Sequence, residues 1–301
     1  MADVLAIFGP TESGKSDVAE AIADRIPATL ISADAMQVYR GLPILTNQSE
    51  RETELVGIWE LDHEASVGEY AALAHAAMDR ALAEGRTPVV VGGTGLYLRA
   101  AVAELDLPAA PEPGVRQRWE AEYERLGAEA AHALLAERDP AAAARVHAND
   151  RRRVVRALEL AEAGASLSPR RERLWSEETR HPTLLVGLDV PQDVLAQRIE
   201  ARTRSMFERG VVDEVRRALE RPISATARTI HGLRDISELP REEAFESLVR
   251  RTTRYAAYQR KWMRRVPGLV TVPADRPAGE VADEILEMAR ARQRLPAGPA
   301  G

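Results

Sequence analysis

The chain has 301 residues, of which 45% are hydrophobic and 29% charged. That is enough apolar material for a sizeable core in one or two domains, and too much for a disordered chain. The net charge of −6 excludes a uniformly basic protein, and the absence of cysteine excludes disulfides, thiolate zinc sites and cysteine nucleophiles. No apolar run reaches the roughly 18 residues of a membrane span. The opening MADVLAIFGP lacks a positive n-region and a long apolar run. No signal peptide is expected, and a reducing cytoplasm suits the lack of cysteine.

The sum of charges hides a pattern. Residues 250–265 carry seven positive residues and no acid, and residues 145–156 carry five Arg against Asp150. Two basic segments on an acidic body can attract a polyanion despite the net sign. Arg runs on helices are also commonly solvated faces.

In chain order, DVLAIF (3–8) reads as a buried strand ending at Gly9-Pro10, and residues 14–25 as a helix. ATLISAD (28–34) is a second strand, a helix covers about 67–84, and PVVVGG (88–93) is a third strand. Strands alternating with helices predict an α/β fold with a parallel sheet, whose ligands bind at the carboxyl ends of the strands. The Pro-rich LDLPAAPEPG then introduces consecutive helices over 114–164, and strand character returns at TLLVGLDV (183–190). The expected organisation is a discontinuous α/β core of residues 1–105 and 181–295, a helical insertion over 106–180, and a disordered tail at 296–301. Long helices are predicted at 191–221 and 241–265, with a last strand at 269–273. On the second helix Phe245, Leu248, Thr252, Tyr255 and Trp262 share one face, so Tyr255 and Trp262 are expected in the core and the arginines outside. No repeat of solenoid period is present.

Three motifs fall at strand ends. Gly9-Pro-Thr-Glu-Ser-Gly-Lys15-Ser16 matches GxxxxGK[ST] between a strand and a helix. Such a loop aims backbone N–H groups and a helix N-terminus at a phosphate, adds the Lys15 charge, and offers the Ser16 hydroxyl to Mg²⁺. It signals a diphosphate or triphosphate without specifying ATP. Asp34, in SADAMQVYR, faces the phosphate loop across the expected cleft. It is either a base or hydrogen-bond acceptor, a water-mediated metal contact, or a helix N-cap. Thr94, in VGGTGLY, is either a phosphate donor or part of a glycine-rich turn. No Walker-B carboxylate is evident after an apolar strand, which argues against an ordinary ATPase. The six histidines show no metal-ligand spacing, and Met36 and Met206 read as core or pocket lining.

Taken together these segments resemble the tRNA dimethylallyltransferase family. The ordered set is GPTESGKS (9–16), ISADAMQVYRG (31–41), VVVGGTGLYLRA (89–100), NDRRRVVRALEL (149–160), RTRSMFERGVVDEV (202–215) and TTRYAAYQRKWMRR (252–265). The resemblance implies a phosphate-loop NTPase-like core and transfer of a dimethylallyl group from its diphosphate to N6 of adenosine 37 in tRNAs reading codons that begin with U, with Mg²⁺. It implies that Gly9, Pro10, Thr11, Glu12, Ser13, Gly14, Lys15 and Ser16 cradle the diphosphate. Thr11, Lys15, Ser16, Thr94 and Arg202 would stabilise its departing charge, and Asp34 would accept a hydrogen bond or proton from the adenine amine. Asp34, Ala35, Met36, Gln37 and Thr94, with Arg116, Arg152, Arg153, Val154, Val155 and Arg156, would contact tRNA. The insertion would grip the anticodon stem-loop, and a monomer is assumed. Departures lie in GIWELDHE (57–64), in Ile230-His-Gly-Leu-Arg-Asp235, in Arg152 where Gln is usual, and in Gln192 where Arg is usual. Rival readings are a prenyltransferase acting on free adenine nucleotides, a small-molecule kinase with Asp34 as base, and a non-catalytic RNA binder.

Overall fold

The computed structural model describes residues 3–107, 114–167 and 173–294. The expected tail at 296–301 and the middle of the Pro-rich connector lie outside these residues. The chain divides into two units, one of residues 1–104 with 174–301 and one of Leu105–Arg173.

The first unit opens with β1 (Val4–Phe8), buried along its whole length, as a strand covered on both faces must be. Then follow α1 (Lys15–Ala23), β2 (Ala28–Ser32), the single turn α2 (Pro43–Thr46), α3 (Val67–Ala83), β3 (Thr87–Gly92) and α4 (Gly95–Val102). The second unit supplies α5 (Val115–Leu126), α6 (Ala128–Arg138), α7 (Pro140–Ala143) and α8 (Arg151–Glu162). The first unit resumes with β4 (Thr183–Asp189), α9 (Gln192–Glu208), α10 (Val211–Ala218), α11 (Leu233–Glu238), α12 (Arg241–Met263), β5 (Val270–Pro273) and α13 (Ala278–Arg294).

The five strands form one parallel sheet in the order β2-β3-β1-β4-β5. Alternation along β1 splits the core. Leu5 and Ile7 join Val18 and Ile22 of α1 and Val281 and Ile285 of α13 on one face. Val4, Ala6 and Phe8 join Tyr70 of α3, Leu98 of α4 and Leu248 of α12 on the other. The connections leaving β1 and β3 therefore run to opposite faces, which opens a crevice at the carboxyl ends of these neighbouring strands.

Two expectations need correction. The insertion ends at Arg173 and not at 180, because buried Arg99 donates to the carbonyls of Leu174, Ser176 and Glu178 and draws that stretch into the sheet unit. The helix expected over 191–221 breaks at Gly210, whose φ of 89° is left-handed. The break turns Val211 and Val215 of α10 into the same core as Met206 and Phe207 of α9.

In the helical unit Trp119, Tyr123, Leu135, Val154, Val155 and Leu158 form the core. Asp150 caps α8 by accepting from the Arg153 N–H at 3.2 Å. No helix among the described residues is long and apolar enough to cross a membrane.

Candidate functional site

The crevice at the strand ends is a cleft of about 350 Å³, lined among others by Thr11, Lys15, Asp34, Arg202, His231 and Tyr255. Its floor is the loop between β1 and α1. The Ser13 N–H donates to Pro10 O at 3.2 Å, and the Lys15 ammonium donates to the same carbonyl at 2.6 Å. Glu12 takes a φ of 62°, uncommon for a side-chain-bearing residue and fitting for a loop wrapped around a ligand. Burial pulls the Lys15 ammonium down to about 8, opposed by the nearby Asp34 and Glu12 carboxylates.

Arg202 of α9 closes one wall. Its Nη1 donates to the Thr11 hydroxyl at 3.0 Å and to Glu12 Oε1 at 2.8 Å. Its Nε is buried without a hydrogen-bond partner, as is the Ser13 hydroxyl. Unsatisfied buried donors are costly, so their gathering around a phosphate loop fits a polyanion that would complete them.

Across the cleft, Asp34 Oδ1 accepts from the Met36 N–H at 2.9 Å. No helix follows directly on Asp34, so the N-cap alternative does not hold: one carboxylate oxygen closes a turn, while the carboxylate still lines the cleft. The Ala35 N–H donates to the Thr94 hydroxyl at 3.3 Å, which ties the turn after β2 to the N-terminus of α4. The Thr94 and Tyr255 hydroxyls lie 3.5 Å apart. Tyr255 is half-buried and lines the cleft, so it is not the core residue expected. Burial and the Asp34 charge push its phenol far up, and it stays neutral.

Met36, Met206 and Leu248 give one end of the cleft an apolar lining. There the His231 ring stacks on Tyr255 with centroids 5.6 Å apart. Burial, with Arg251 and Arg202 nearby and Asp235 opposing, pulls the imidazole down to about 4. Trp262 is half-buried and covers Trp175, with ring centroids 4.9 Å apart. Arg250, Arg251, Arg254, Lys261, Arg264 and Arg265 are exposed as expected, and half-buried Arg260 is the exception.

Other expected residues have different work. Gln37 donates to the carbonyls of Thr46 and Asn47 and accepts from the Ser32 hydroxyl, so its amide holds a loop at the cleft it lines. Val154 and Val155 are buried in the helical unit, and their side chains cannot reach a ligand. Arg116 and Arg156 pair with buried Glu159 at 3.0 and 2.9 Å, whereas Arg152 and Arg153 are exposed on α8. A carboxylate does end an apolar strand, at Asp189 of β4, but Arg260 pairs with it at 3.0 Å and it is absent from the cleft lining.

Sequence reasoning also missed Gln259, which is 2% exposed and reaches two loops of the cleft. Its signal lay in plain view: a polar residue on the buried stripe of Leu248, Thr252 and Tyr255, four residues beyond the last.

Fold and cleft together define an α/β protein with a phosphate-loop-like core and a cleft at the carboxyl ends of its parallel strands. The description "IPP transferase" matches residues 37–266, and "Isopentenyl transferase" matches residues 2–58. A tRNA dimethylallyltransferase of Thermobifida fusca is 41% identical over 92% of each chain. A solved tRNA isopentenylpyrophosphate transferase of Bacillus halodurans superposes with a TM-score of 0.67 at 28% identity, covering 98% of this chain and 100% of the other. A eukaryotic dimethylallyltransferase acting on tRNA shares the fold, with a TM-score of 0.76 at 22% identity over 98% of this chain and 81% of that one. The chain belongs to the IPP transferase family and is a prenyl-transferring enzyme.

Proposed function

We propose that the enzyme transfers a dimethylallyl group from dimethylallyl diphosphate to N6 of adenosine 37 in tRNAs reading codons that begin with U. The observation that carries this reading is the pairing of two half-sites in one cleft. Lys15, Arg202 and the loop amides form an anion cradle, and Asp34 lies opposite on a turn that Thr94 holds.

In the reaction the bond between the allylic carbon and diphosphate oxygen breaks, the N6–carbon bond forms, and N6 loses a proton. Negative charge builds on the leaving diphosphate, where Lys15, Arg202 and the Thr11 hydroxyl meet it. The adenine amine is a weak nucleophile. A hydrogen bond to Asp34 orients it, and the same carboxylate takes the proton. The apolar end lined by Met36, Met206 and Leu248 suits the prenyl chain. An anticodon-loop base reaches such a cleft only by leaving its stack.

Ser16 contributes a hydroxyl to the cleft, and Asp34, whose carboxylate serves the amine, would meet an ion only through water. A few protein oxygens completed by phosphate and water are the usual surroundings of Mg²⁺, so these residues fit that ion. It would add charge neutralisation at the diphosphate. In the helical unit, exposed Arg152 and Arg153 are suited to RNA phosphates.

The test is one incubation of the protein with Mg²⁺, dimethylallyl diphosphate and unmodified tRNA, followed by nucleoside mass spectrometry. A prenyl mass gain on a single adenosine is expected. Prenylation of AMP with none on tRNA would replace the acceptor.

A further inference from the structure

Gln259 lies on α12, far in sequence from both loops it touches. Its Oε1 accepts from the Thr11 N–H at 2.8 Å, and its Nε2 donates to the Gly93 carbonyl at 2.9 Å. Thr11 belongs to the donor cradle, through the hydrogen bond its hydroxyl accepts from Arg202. Gly93 precedes Thr94, which holds the turn carrying Asp34. One amide plane therefore spans the two halves of the cleft.

We propose that Gln259 is a positioning residue that sets the distance between the prenyl donor and the acceptor amine. The proposal rests on the prenyl-transfer reading above. Only Gln has both the acceptor and the donor that the two loops demand at this reach, since Glu lacks the donor and Met lacks both. The seat is built closely: a Cβ on Gly93 would overlap the Gln259 amide. The strands below are already paired in register, Phe8 against Gly92, so what Gln259 adds is the alignment of the loops above them.

Alignment decides the fate of an allylic donor. When N6 is in line, the allylic carbon bonds to nitrogen. When it is displaced, water takes its place: the carbon–diphosphate bond breaks, the water oxygen bonds to carbon, a proton leaves, and the products are dimethylallyl alcohol and diphosphate. Loss of Gln259 should thus uncouple diphosphate release from tRNA prenylation, an effect that a general loss of stability does not produce.

The experiment uses the full chain with Mg²⁺, dimethylallyl diphosphate and unmodified tRNA, and measures released diphosphate and prenylated adenosine in the same reaction. Wild type should give a ratio near one. Gln259→Met should lower kcat for prenylation by about a hundredfold, the effect of a misplacement near 1 Å, with both KM values little changed. Its ratio of prenylated adenosine to diphosphate should fall well below one. Gly93→Ala, which displaces the Gln259 amide while leaving Gln259 in place, should show the same uncoupling even where Gln259→Met folds poorly. A ratio that stays at one in both variants, with activity tracking the folded fraction, would overturn the proposal. A wild type that prenylates no tRNA would instead remove the functional reading itself.

Discussion

Arg202 Nη1 donates to the Thr11 hydroxyl at 3.0 Å, so a helix from the last third or so of the chain finishes a site that the first strand begins. The same nitrogen holds Glu12, and the buried Nε is left to a ligand. Arg202→Ala should lower kcat/KM for the donor by about 10²–10³, the usual loss for one preorganised donor at a developing anion. Arg202→Lys should recover only part of this, because a point charge cannot replace the fork. Tritium transfer from labelled dimethylallyl diphosphate, beside tRNA affinity by filter binding, reads both; affinity for tRNA should not change.

Asp34 has a structural duty and a chemical one on the same carboxylate, and substitutions separate them. Asp34→Asn keeps an oxygen for the Met36 N–H, whereas Asp34→Ala removes it. Both should lose about 10²–10⁴ in kcat, the contribution of a general base, while tRNA binds nearly as before. An Asn variant as active as wild type would reduce Asp34 to holding its turn.

Lys15 predicts a pH dependence of known sign. Its folded pKa is about 8 against 10.5 for a free lysine, because burial disfavours the charge. Diphosphate needs the ammonium, so donor KM should rise as pH climbs through about 8. Between pH 8 and 10.5 the unfolded chain keeps a proton that the folded chain has lost, so this group raises stability with pH there. Lys15→Met should be more stable than wild type at pH 7 and should lose that advantage over the same window. Its donor binding should be abolished. Thermal melts at stepped pH, with isothermal titration of the diphosphate, check all three.

The arginines of α8 should divide into two kinds. Arg152→Ala or Arg153→Ala should weaken tRNA binding and lower the salt slope by about 1 each, with the fold intact. Arg116→Ala should instead destabilise the helical unit by about 3–5 kcal/mol at most, because Glu159 is fully buried and loses one of the two cationic partners it has among the described residues. Binding titrations at several salt concentrations and urea melts distinguish the two.

The parts legible in the sequence were those whose signal is local. The phosphate loop, Asp34 and Thr94 each follow directly on an apolar strand, and the parallel sheet needed only the alternation of strands and helices. What stayed hidden depends on α12 returning to the first strands. Tyr255 and His231 acquire their places only through partners remote in the chain, and no spacing rule carries that; for Gln259 helical spacing marks a buried polar position but does not name the two loops it joins. Gln37, Val154 and Val155 show how a segment and its side chains can part. They sit inside the right segments, but the fold turns the valines into a core and uses the glutamine to hold a loop.

Arg99 has a consequence beyond the boundary it sets. Its guanidinium is wholly buried and holds the carbonyls of Leu174, Ser176 and Glu178. The chain's departure at Glu104 and its return at Leu174 are thereby both anchored within the sheet unit. Whatever polypeptide runs between them is a cassette. Its length can change at a closure cost that grows only as the logarithm of loop size, without disturbing the strands. An enzyme built this way can lengthen or replace its helical module while the strands that carry its cleft are inherited unchanged.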